Sequence, residues 1–364
     1  MNTIFVSIAS YRDSLCSDTL QSLFSMAENP SNIFVGICLQ NDSNDPDCIH
    51  PDFSNNIRKI TIPHYEAKGP TYARYLCSTL CQNETFYMQI DSHTKFVKHW
   101  DTLCIRMIND IKSQGLSNKP VLSHYPKEYS TYDSYNESQK HLVPRMCKSF
   151  FNDRGMLSFS GSNEMHSNNT YYKTPYLASG MFFCESYFLK ELPYDPNLDY
   201  LFVGEEILHS IRFFTNGWDI FTPSENIIFH YYTRPNDPKI WTDNPYYSDM
   251  NAFLKVKKYL ELEDTQTLDN NHNIMLNFDK YGLGKTRSLQ DYYDFAQIDV
   301  KNKKVYSDFC KPNNIDPTQI SENTIEHFSN STSTSISSNS NSFYFYIILF
   351  IIFIVILIIV HYTF

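Results

Sequence analysis

The sequence predicts an α/β domain in which a mostly parallel β-sheet is covered by helices, and three observations support this fold class. Short apolar segments of strand length recur along the chain. Segments with helical spacing of apolar residues lie between them, an alternation that favours parallel strands joined by helices. Aromatic residues make up 16% of the 364 residues, so a sizeable core can form. We expect residues 1–300 to fold as this one α/β unit.

The individual elements follow from local patterns. A helix is predicted over 71–81, where apolar residues share one face at the helical spacing. A second is predicted over 205–214, and the Asn-Gly pair after it would end it with a left-handed cap. Ligands gather beyond the carboxyl ends of parallel strands, so 10–13 and 91–93 would lie together. The strand candidates that set these ends are 3–9, 33–39, 86–90 and 182–184.

The C-terminus is predicted to be a membrane anchor. Residues 343–360 form an uncharged run of Ile, Leu, Val, Phe and Tyr. As a helix this run would span roughly 27 Å, close to the hydrocarbon thickness of a bilayer. A buried core helix is the alternative. Residues 329–342 are rich in Ser, Asn and Thr and are predicted to be a flexible linker, whereas the pattern of the extension 301–328 is too weak to assign.

The charge balance argues against a nucleic-acid binder. Asp and Glu number 40 against 30 Lys and Arg, which gives a formal net charge of −10. Proteins that bind nucleic acids usually present a basic face instead. An anionic ligand would therefore be held locally, by a metal ion or by a few placed cations.

Cysteine usage and the N-terminus indicate a reducing compartment. The nine Cys are an odd number without paired metal-type spacing. Residues 1–9 lack a basic region, and their apolar run is too short for a signal peptide. Sequons such as Asn83-Glu84-Thr85 carry little weight without such a signal. An anchor without an upstream signal implies insertion after translation, so we expect a single-pass, tail-anchored membrane protein whose main domain faces the cytosol.

A candidate metal site follows the strand predicted at 86–90. Asp91 and His93 are two positions apart and point the same way, because strand side chains alternate between faces. A hard carboxylate oxygen and an imidazole nitrogen on one face suit a divalent cation such as Mn²⁺. At the exit of a buried strand, that cation could hold a phosphate-bearing ligand. A capped strand end with an Asx-type turn is the alternative, and the motif alone does not decide between them.

Four other features could complete such a site. The polar loop 10–13 could contact a nucleotide base, although a surface turn would look the same. Arg74 follows a Gly-Pro helix start and could reach a diphosphate or be solvated. Glu205 and Glu206 open another helix, where acidic residues are stabilising through the helix dipole alone. His230 ends an apolar run and would be either a third metal ligand or a packed residue.

Five separated motifs stand in one order along the chain: FVSIASYRD at 5–13, GPTYAR at 69–74, MQIDSH at 88–93, LFVGEE at 201–206 and GWDIFTP at 217–223. Together they resemble the cytosolic Skp1-type N-acetylglucosaminyltransferase family, whose members attach GlcNAc to a hydroxylated residue of a protein. More distantly they resemble the polypeptide GalNAc-transferases, which share an Asp-Ser-His metal motif, a Gly-x-x-x-Ala-Arg helix start and a Gly-Glu segment. The likeness covers roughly residues 3–235.

Both families have the GT-A fold and use a UDP-sugar with Mn²⁺, so the resemblance implies the same here. By position, Asp91 and His93 would bind the metal and His230 would complete its protein ligands. Glu205 is a better candidate than Glu206 for contacting the sugar or the acceptor hydroxyl. The remaining implied roles are Ser7, Tyr11 and Asp13 at the uridine, Arg74 near the donor, Ser179 and Gly180 close to the sugar, and Phe202 beside donor and acceptor.

The resemblance also implies that the anomeric configuration is retained. No carboxylate is placed convincingly as a covalent nucleophile, so we expect front-face displacement. The sequence thus predicts a metal-dependent glycosyltransferase that moves GlcNAc, or a close relative, from a UDP-sugar to a hydroxyl on a protein. The alternatives are a transferase that extends an existing glycan, a catalytically inactive sugar- or nucleotide-binding membrane protein, and a structural membrane protein. The predicted anchor departs from the soluble Skp1-type enzymes and suggests a different acceptor.

Overall fold

The alternation of apolar strand segments with helical segments produces the predicted α/β architecture. The computed structural model describes residues 2–160, 163–235, 237–244, 247–262, 268, 271–307 and 309–310. All of them belong to one unit of the chain, Met1–Ile315. The four strand candidates and both helix candidates are confirmed, and their ends differ from the predicted ones by at most three residues.

The strands of the described residues vary in length from two to nine residues. They are β1 (Ile4–Tyr11), β2 (Ile33–Asn41), β3 (Ile57–Pro63), β4 (Phe86–Asp91), β5 (Thr94–Phe96), β6 (Pro120–Ser123), β7 (Lys127–Glu128), β8 (Leu142–Arg145), β9 (Ser149–Phe151), β10 (Leu157–Phe159), β11 (Asn163–His166), β12 (Tyr172–Thr174), β13 (Met181–Glu185), β14 (Asp219–Thr222), β15 (Ile228–His230), β16 (Ile298–Asp299) and β17 (Lys304–Val305).

The α-helices of the same residues include several single turns. They are α1 (Cys16–Ser25), α2 (Pro70–Ser78), α3 (Trp100–Ser113), α4 (Phe188–Glu191), α5 (Glu205–Thr215), α6 (Ile240–Asp243), α7 (Met250–Tyr259), α8 (His272–Met275) and α9 (Leu289–Ala296). Gly217, at φ +83°, lies just beyond α5, as the predicted left-handed cap requires.

Eight strands form the main sheet, in the order β12-β14-β6-β13-β4-β1-β2-β3. β1 pairs in parallel with both β2 and β4, β2 with β3, and β6 with β14. β13 and β12 run antiparallel to their neighbours. The carboxyl ends of β1 and β4 therefore meet the amino end of β13 at one edge of the sheet. The candidate site described below lies at these strand ends.

The core lies on both faces of this sheet because side chains alternate along each strand. From β1, Ile4, Val6 and Ile8 pack in one cluster with residues of α1 and α3. The intervening Phe5 belongs to a second cluster, which includes Phe213 of α5. Every one of these side chains is almost fully buried. The parallel strands are thus covered on both sides, as the fold class predicts.

A small second sheet brings a distant residue to the same edge. β15 pairs antiparallel with β5 and parallel with β7. In that register His230 lies opposite Thr94, and the backbone N–H of Tyr231 donates to the carbonyl of His93 at 3.1 Å. Because β5 follows β4 after a two-residue turn, this pairing carries His230 to the end of β4.

Two disulfides correct the expectation of reduced cysteines. Cys16 is bonded to Cys48, and Cys147 to Cys310. The other five Cys are free, and four of them are buried. Disulfides are typical of oxidising compartments, whereas the sequence indicated a reducing one. The second disulfide ties residue 310 to the domain, so the start of the unassigned extension belongs to the fold.

The predicted C-terminal elements fall outside the described residues. These are the rest of the extension from 311, the linker 329–342 and the anchor 343–360. Within the part of the chain that the structure describes, no helix combines the length and apolar character needed to cross a bilayer.

Candidate active site

A cavity of 790 Å³ opens at the carboxyl edge of the main sheet. It is lined by residues from the ends of β1 and β4, from the starts of α2 and α5, and from the segment after β15. The cavity lies where open α/β sheets bind their ligands, beyond the strand carboxyl ends. Its volume suits a ligand of nucleotide-sugar size.

Three of the predicted ligands converge at the inner end of this cavity. One ligand atom from each of Asp91, His93 and His230 lies within 4.8 Å of the others. His230 Nε2 is 3.0 Å from Asp91 Oδ2, and the two imidazole rings are 4.5 Å apart. The end of β4 supplies the first two residues, and the β15–β5 pairing supplies the third. An oxygen and two nitrogens in this arrangement can hold a divalent cation.

The carboxylate of Asp13 fixes the orientation of His93. His93 Nδ1 donates to Asp13 Oδ2 at 2.7 Å, and the same oxygen accepts from Ser92 Oγ at 2.6 Å and Arg234 Nη1 at 2.8 Å. Burial alone would raise the pKa of Asp13, but its hydrogen bond with His93 and the nearby positive charges lower it to about 2. With Nδ1 engaged, His93 presents Nε2 as its free ligand atom, the usual arrangement at metal sites.

Arg74 joins Asp91, His93 and His230, together called the candidate metal cluster, to α5. Its Nη2 donates to Asp91 Oδ1 at 2.9 Å, and its Nη1 donates to Glu205 Oε2. Burial would raise the pKa of Asp91, but the hydrogen bond from His230 and the charge of Arg74 hold it well below its usual range. Burial raises the pKa of Glu205 despite Arg74. The guanidinium is therefore the buried counter-charge for two carboxylates.

The start of α2 explains how Arg74 reaches this position. Gly69 precedes the helix with φ +90°, a conformation that favours glycine. A Cβ at Gly69 would come within 2.9 Å of the Tyr200 Cα, so the helix start packs closely against that segment. Thr71 Oγ1 also donates to the Leu198 carbonyl at 2.6 Å. These contacts hold the helix against the segment that leads into α5.

Glu206 is bound differently from its neighbour. Its Oε2 accepts from Tyr125 Oη at 2.6 Å, and its Oε1 accepts from the backbone N–H of Ser179 at 3.0 Å. Burial raises the pKa of Glu206 to about 7, although both hydrogen bonds oppose the rise. The two glutamates thus have separate partners. Glu205 faces Arg74, whereas Glu206 anchors the turn that enters β13.

Comparison with known proteins then identifies the family. The model of the family described as Glycosyltransferase (GlcNAc) matches residues 3–55 and 52–302. The chain belongs to this GlcNAc glycosyltransferase family. Membership confirms the predicted enzyme class, a glycosyltransferase, but does not separate a Skp1-type branch, which stays a prediction. No curated protein matches the chain significantly.

A solved structure supports the fold of this GlcNAc glycosyltransferase family member. The structure of GalNAc-T7 with UDP, GalNAc and Mn²⁺ has a TM-score of 0.53 and 12% identity over 80% of this chain. The chain spans 56% of the length of GalNAc-T7. The structure of S. aureus TarS 1-349 with UDP-GlcNAc has a TM-score of 0.45 and 12% identity, over 82% of this chain and 77% of that one. The likeness to GalNAc-T7 shows an α/β core that resembles the GT-A glycosyltransferases.

Most residues that the sequence assigned to the donor do line the cavity of this glycosyltransferase. Tyr11 lines it, and its hydroxyl donates to Asp243 Oδ2 at 2.9 Å. Ser179 and Gly180 line it beside the candidate metal cluster, since a Cβ at Gly180 would lie 3.3 Å from Asp91 Oδ2. Phe202 lies at the exposed mouth.

Two residues predicted to border the uridine are placed elsewhere. Ser7 and Asp13 are buried and are not among the residues that line the cavity. Ser7 is an interior residue of β1, and the carboxylate of Asp13 is taken up by His93, Ser92 and Arg234. Asp13 therefore contacts the candidate metal cluster through its hydrogen bond with His93, without lining the cavity itself.

Sequence reasoning missed further cavity residues of this family member. Tyr125 follows the end of β6, and Arg234, Lys239 and Trp241 come from the segment after His230. The rule that ligands gather beyond strand ends would have found Tyr125, had β6 been recognised. No local signal marks the other three, because their position depends on how the segment after β15 folds back.

Proposed function

We propose that this protein is a metal-dependent, retaining glycosyltransferase that moves GlcNAc from UDP-GlcNAc to a hydroxyl group on a protein. The observation that carries the proposal is the convergence of Asp91, His93 and His230 at the inner end of a cavity of nucleotide-sugar size. Membership of the GlcNAc glycosyltransferase family supports the choice of sugar.

The donor set fits Mn²⁺ on chemical grounds. It combines a carboxylate oxygen with two imidazole nitrogens, and Asp13 behind His93 supplies the second-sphere hydrogen bond that metal-binding histidines usually have. A bound cation would neutralise charge on the diphosphate and stabilise the departing UDP. Arg74, which is already paired with Asp91, would hold that carboxylate ionised and in place.

The remaining side chains suggest how the sugar is transferred. Both candidate carboxylates have strong partners: Glu205 is paired with Arg74, and Glu206 with Tyr125 and the Ser179 N–H. Because both are paired, neither is a convincing covalent nucleophile, which favours front-face displacement. The acceptor oxygen would form the new bond to the anomeric carbon as the bond to the UDP oxygen breaks. The leaving phosphate takes the acceptor proton.

A donor assay tests this proposal. The full-length chain is incubated with UDP-GlcNAc, UDP-GalNAc or UDP-glucose, with Mn²⁺ or with EDTA, and the released UDP is measured. We expect release with Mn²⁺, fastest from UDP-GlcNAc, and little release with EDTA. Binding of UDP-GlcNAc without any release from any donor would favour the alternative of an inactive sugar- or nucleotide-binding protein.

We also propose that residues 343–360 attach the chain to a membrane, on the strength of their length and apolar composition. Alkaline carbonate extraction of the full-length protein tests this, and recovery in the soluble fraction would contradict it. A cytosol-facing catalytic domain remains part of the proposal, but the two disulfides weigh against it, because disulfides persist mainly in oxidising compartments. Protease protection in sealed vesicles measures the side directly.

A further inference from the structure

An aromatic pair marks the mouth of the cavity. Phe202 is 61% exposed and Trp241 is 52% exposed, and both line the cavity. Their ring centroids are 6.2 Å apart and the rings are tilted by 56°, so together they form an angled apolar surface. Clusters of large, solvent-exposed aromatic side chains commonly mark a binding site.

Both rings are carried by segments that other contacts hold in place. Phe202 lies three residues before Glu205, which is paired with Arg74. Trp241 belongs to α6, whose last residue, Asp243, accepts hydrogen bonds from Tyr11 Oη at 2.9 Å and Arg12 Nη1 at 3.0 Å. The ring surface is therefore preorganised relative to the cavity, which lowers the cost of ordering it around a ligand.

The residues that line the cavity are acidic towards its inner end and aromatic at its mouth. The described acidic residues that line it, Asp91, Glu205 and Glu206, lie towards the candidate metal cluster and the start of α5. Lys239 also lines the cavity, and its ammonium group can donate hydrogen bonds. A cation held by Asp91, His93 and His230 would attract the anionic donor to the inner end, which leaves the rings at the mouth to the acceptor. A neutral molecule with an apolar face and hydroxyl edges matches this surface.

We propose that the acceptor hydroxyl belongs to a sugar already carried by the protein acceptor, whose pyranose ring stacks on Phe202 and Trp241, so that the enzyme extends a glycan on that protein. This inference rests on the proposed function. The C–H face of a pyranose is apolar and packs well against aromatic faces, while its hydroxyls remain at the rim. In the transfer, one acceptor hydroxyl oxygen bonds to the anomeric carbon of the donor. The anomeric carbon–phosphate oxygen bond breaks, UDP leaves with the electron pair, and the hydroxyl proton passes to UDP.

Simple glycosides can test the proposal. The full-length chain is given UDP-GlcNAc and Mn²⁺ with the methyl glycosides of glucose, galactose or mannose, and disaccharide product is measured by mass spectrometry alongside released UDP. Trp241→Ala is compared with the conservative Trp241→Phe. Tyr65→Ala is the matched control, because Tyr65 is 70% exposed and is not among the cavity residues.

We expect at least one glycoside to yield disaccharide and to speed UDP release above hydrolysis by water. Trp241→Ala should raise the KM for that glycoside about tenfold, with a smaller change in kcat. Trp241→Phe should have a KM close to that of the wild type. The proposal is overturned if the wild-type protein hydrolyses UDP-GlcNAc but glycosylates none of the three glycosides, or if Trp241→Ala leaves the KM unchanged. A wild-type protein that releases no UDP at all would instead refute the proposed function, and this inference with it.

Discussion

Asp13 lies directly behind His93, with its Oδ2 2.7 Å from His93 Nδ1. The sequence resemblance assigned Asp13 to the nucleotide, whereas in the structure its carboxylate accepts a hydrogen bond from His93, a candidate metal ligand. A carboxylate in this position fixes the ring and its tautomer and makes the opposite nitrogen a better ligand. The relationship ties the loop after β1 to the end of β4, so two neighbouring strands act together at the site.

Replacing Asp13 should weaken metal binding without removing a metal ligand. We expect Asp13→Asn to lower the affinity for Mn²⁺ about 10- to 100-fold, measured by titration calorimetry with UDP present. Asp52→Asn, at an exposed position, is the control and should bind as the wild type does. Equal affinities for Asp13→Asn and wild type would show that Asp13 does not support the site.

Arg74 should matter for stability as well as for activity. Arg74→Met would leave the buried carboxylates of Asp91 and Glu205 without their counter-charge. We expect the free energy of unfolding to fall by about 3–5 kcal/mol, measured by urea denaturation without added metal. Arg106, which is 54% exposed and pairs with Glu225, provides the contrast, since Arg106→Met should cost about 1 kcal/mol or less. Equal losses in both variants would contradict this account of Arg74.

Glu206 should make stability depend on pH. Burial raises its pKa from 4.5 to about 7, so the folded protein holds the proton more tightly than the unfolded chain. Its stabilising contribution is therefore fully present below pH 4.5 and is lost as the pH rises through about 7. The loss amounts to about 3 kcal/mol.

The variant Glu206→Gln isolates this contribution, because glutamine resembles the protonated acid and can keep both hydrogen bonds. We expect its unfolding free energy to change less than that of the wild type between pH 4.5 and 7. Glu137→Gln, at a position with 93% of the side chain exposed, should follow the wild-type curve. Parallel curves for Glu206→Gln and wild type would rule out a raised pKa at this position.

The disulfide between Cys147 and Cys310 should contribute strongly to stability. It joins two residues with a sequence separation of 163. Phe309, beside Cys310, packs in a cluster with Tyr176 and Ala178, and Ala178 directly precedes the cavity residue Ser179. Replacing both cysteines by serine should cost about 2–5 kcal/mol of unfolding free energy. The free, partly exposed Cys81 offers a control, because Cys81→Ser breaks no disulfide.

Counting reactive thiols by chemical labelling tests independently whether both disulfides are present. The denatured, unreduced protein should present five reactive thiols, and reduction should add four. Nine reactive thiols before reduction would mean that the protein, as isolated, carries reduced cysteines, in line with the sequence expectation.

Local patterns were enough for the elements that build the inner site. The apolar run that became β4 and the alternation of its side chains placed Asp91 and His93 on one face correctly. The helical spacing that defined α2 and α5 likewise placed Arg74 and Glu205 at helix starts. Periodicity carries such information because it reflects which face of an element is buried.

Long-range pairings could not be predicted in this way. His230 reaches Asp91 and His93 because β15 pairs with β5, more than a hundred residues earlier. The apolar run before His230 left open a metal ligand or a packed residue, and only the family resemblance favoured the ligand. The disulfides join positions that no spacing rule connects, so counting cysteines did not reveal them. Asp13 was assigned to the uridine by the resemblance, whereas its partner is decided by how β1 and β4 lie side by side.

The release of UDP from UDP-GlcNAc with Mn²⁺, compared between wild type and Asp91→Ala, tests the central claim most directly. Asp91 joins the candidate metal cluster to Arg74, so its loss should reduce release to about a hundredth of the wild-type rate or less. Asp133→Ala, at an exposed position, should release UDP at the wild-type rate. Equal rates for Asp91→Ala and wild type would contradict the proposal that this site binds the cation and cleaves the donor.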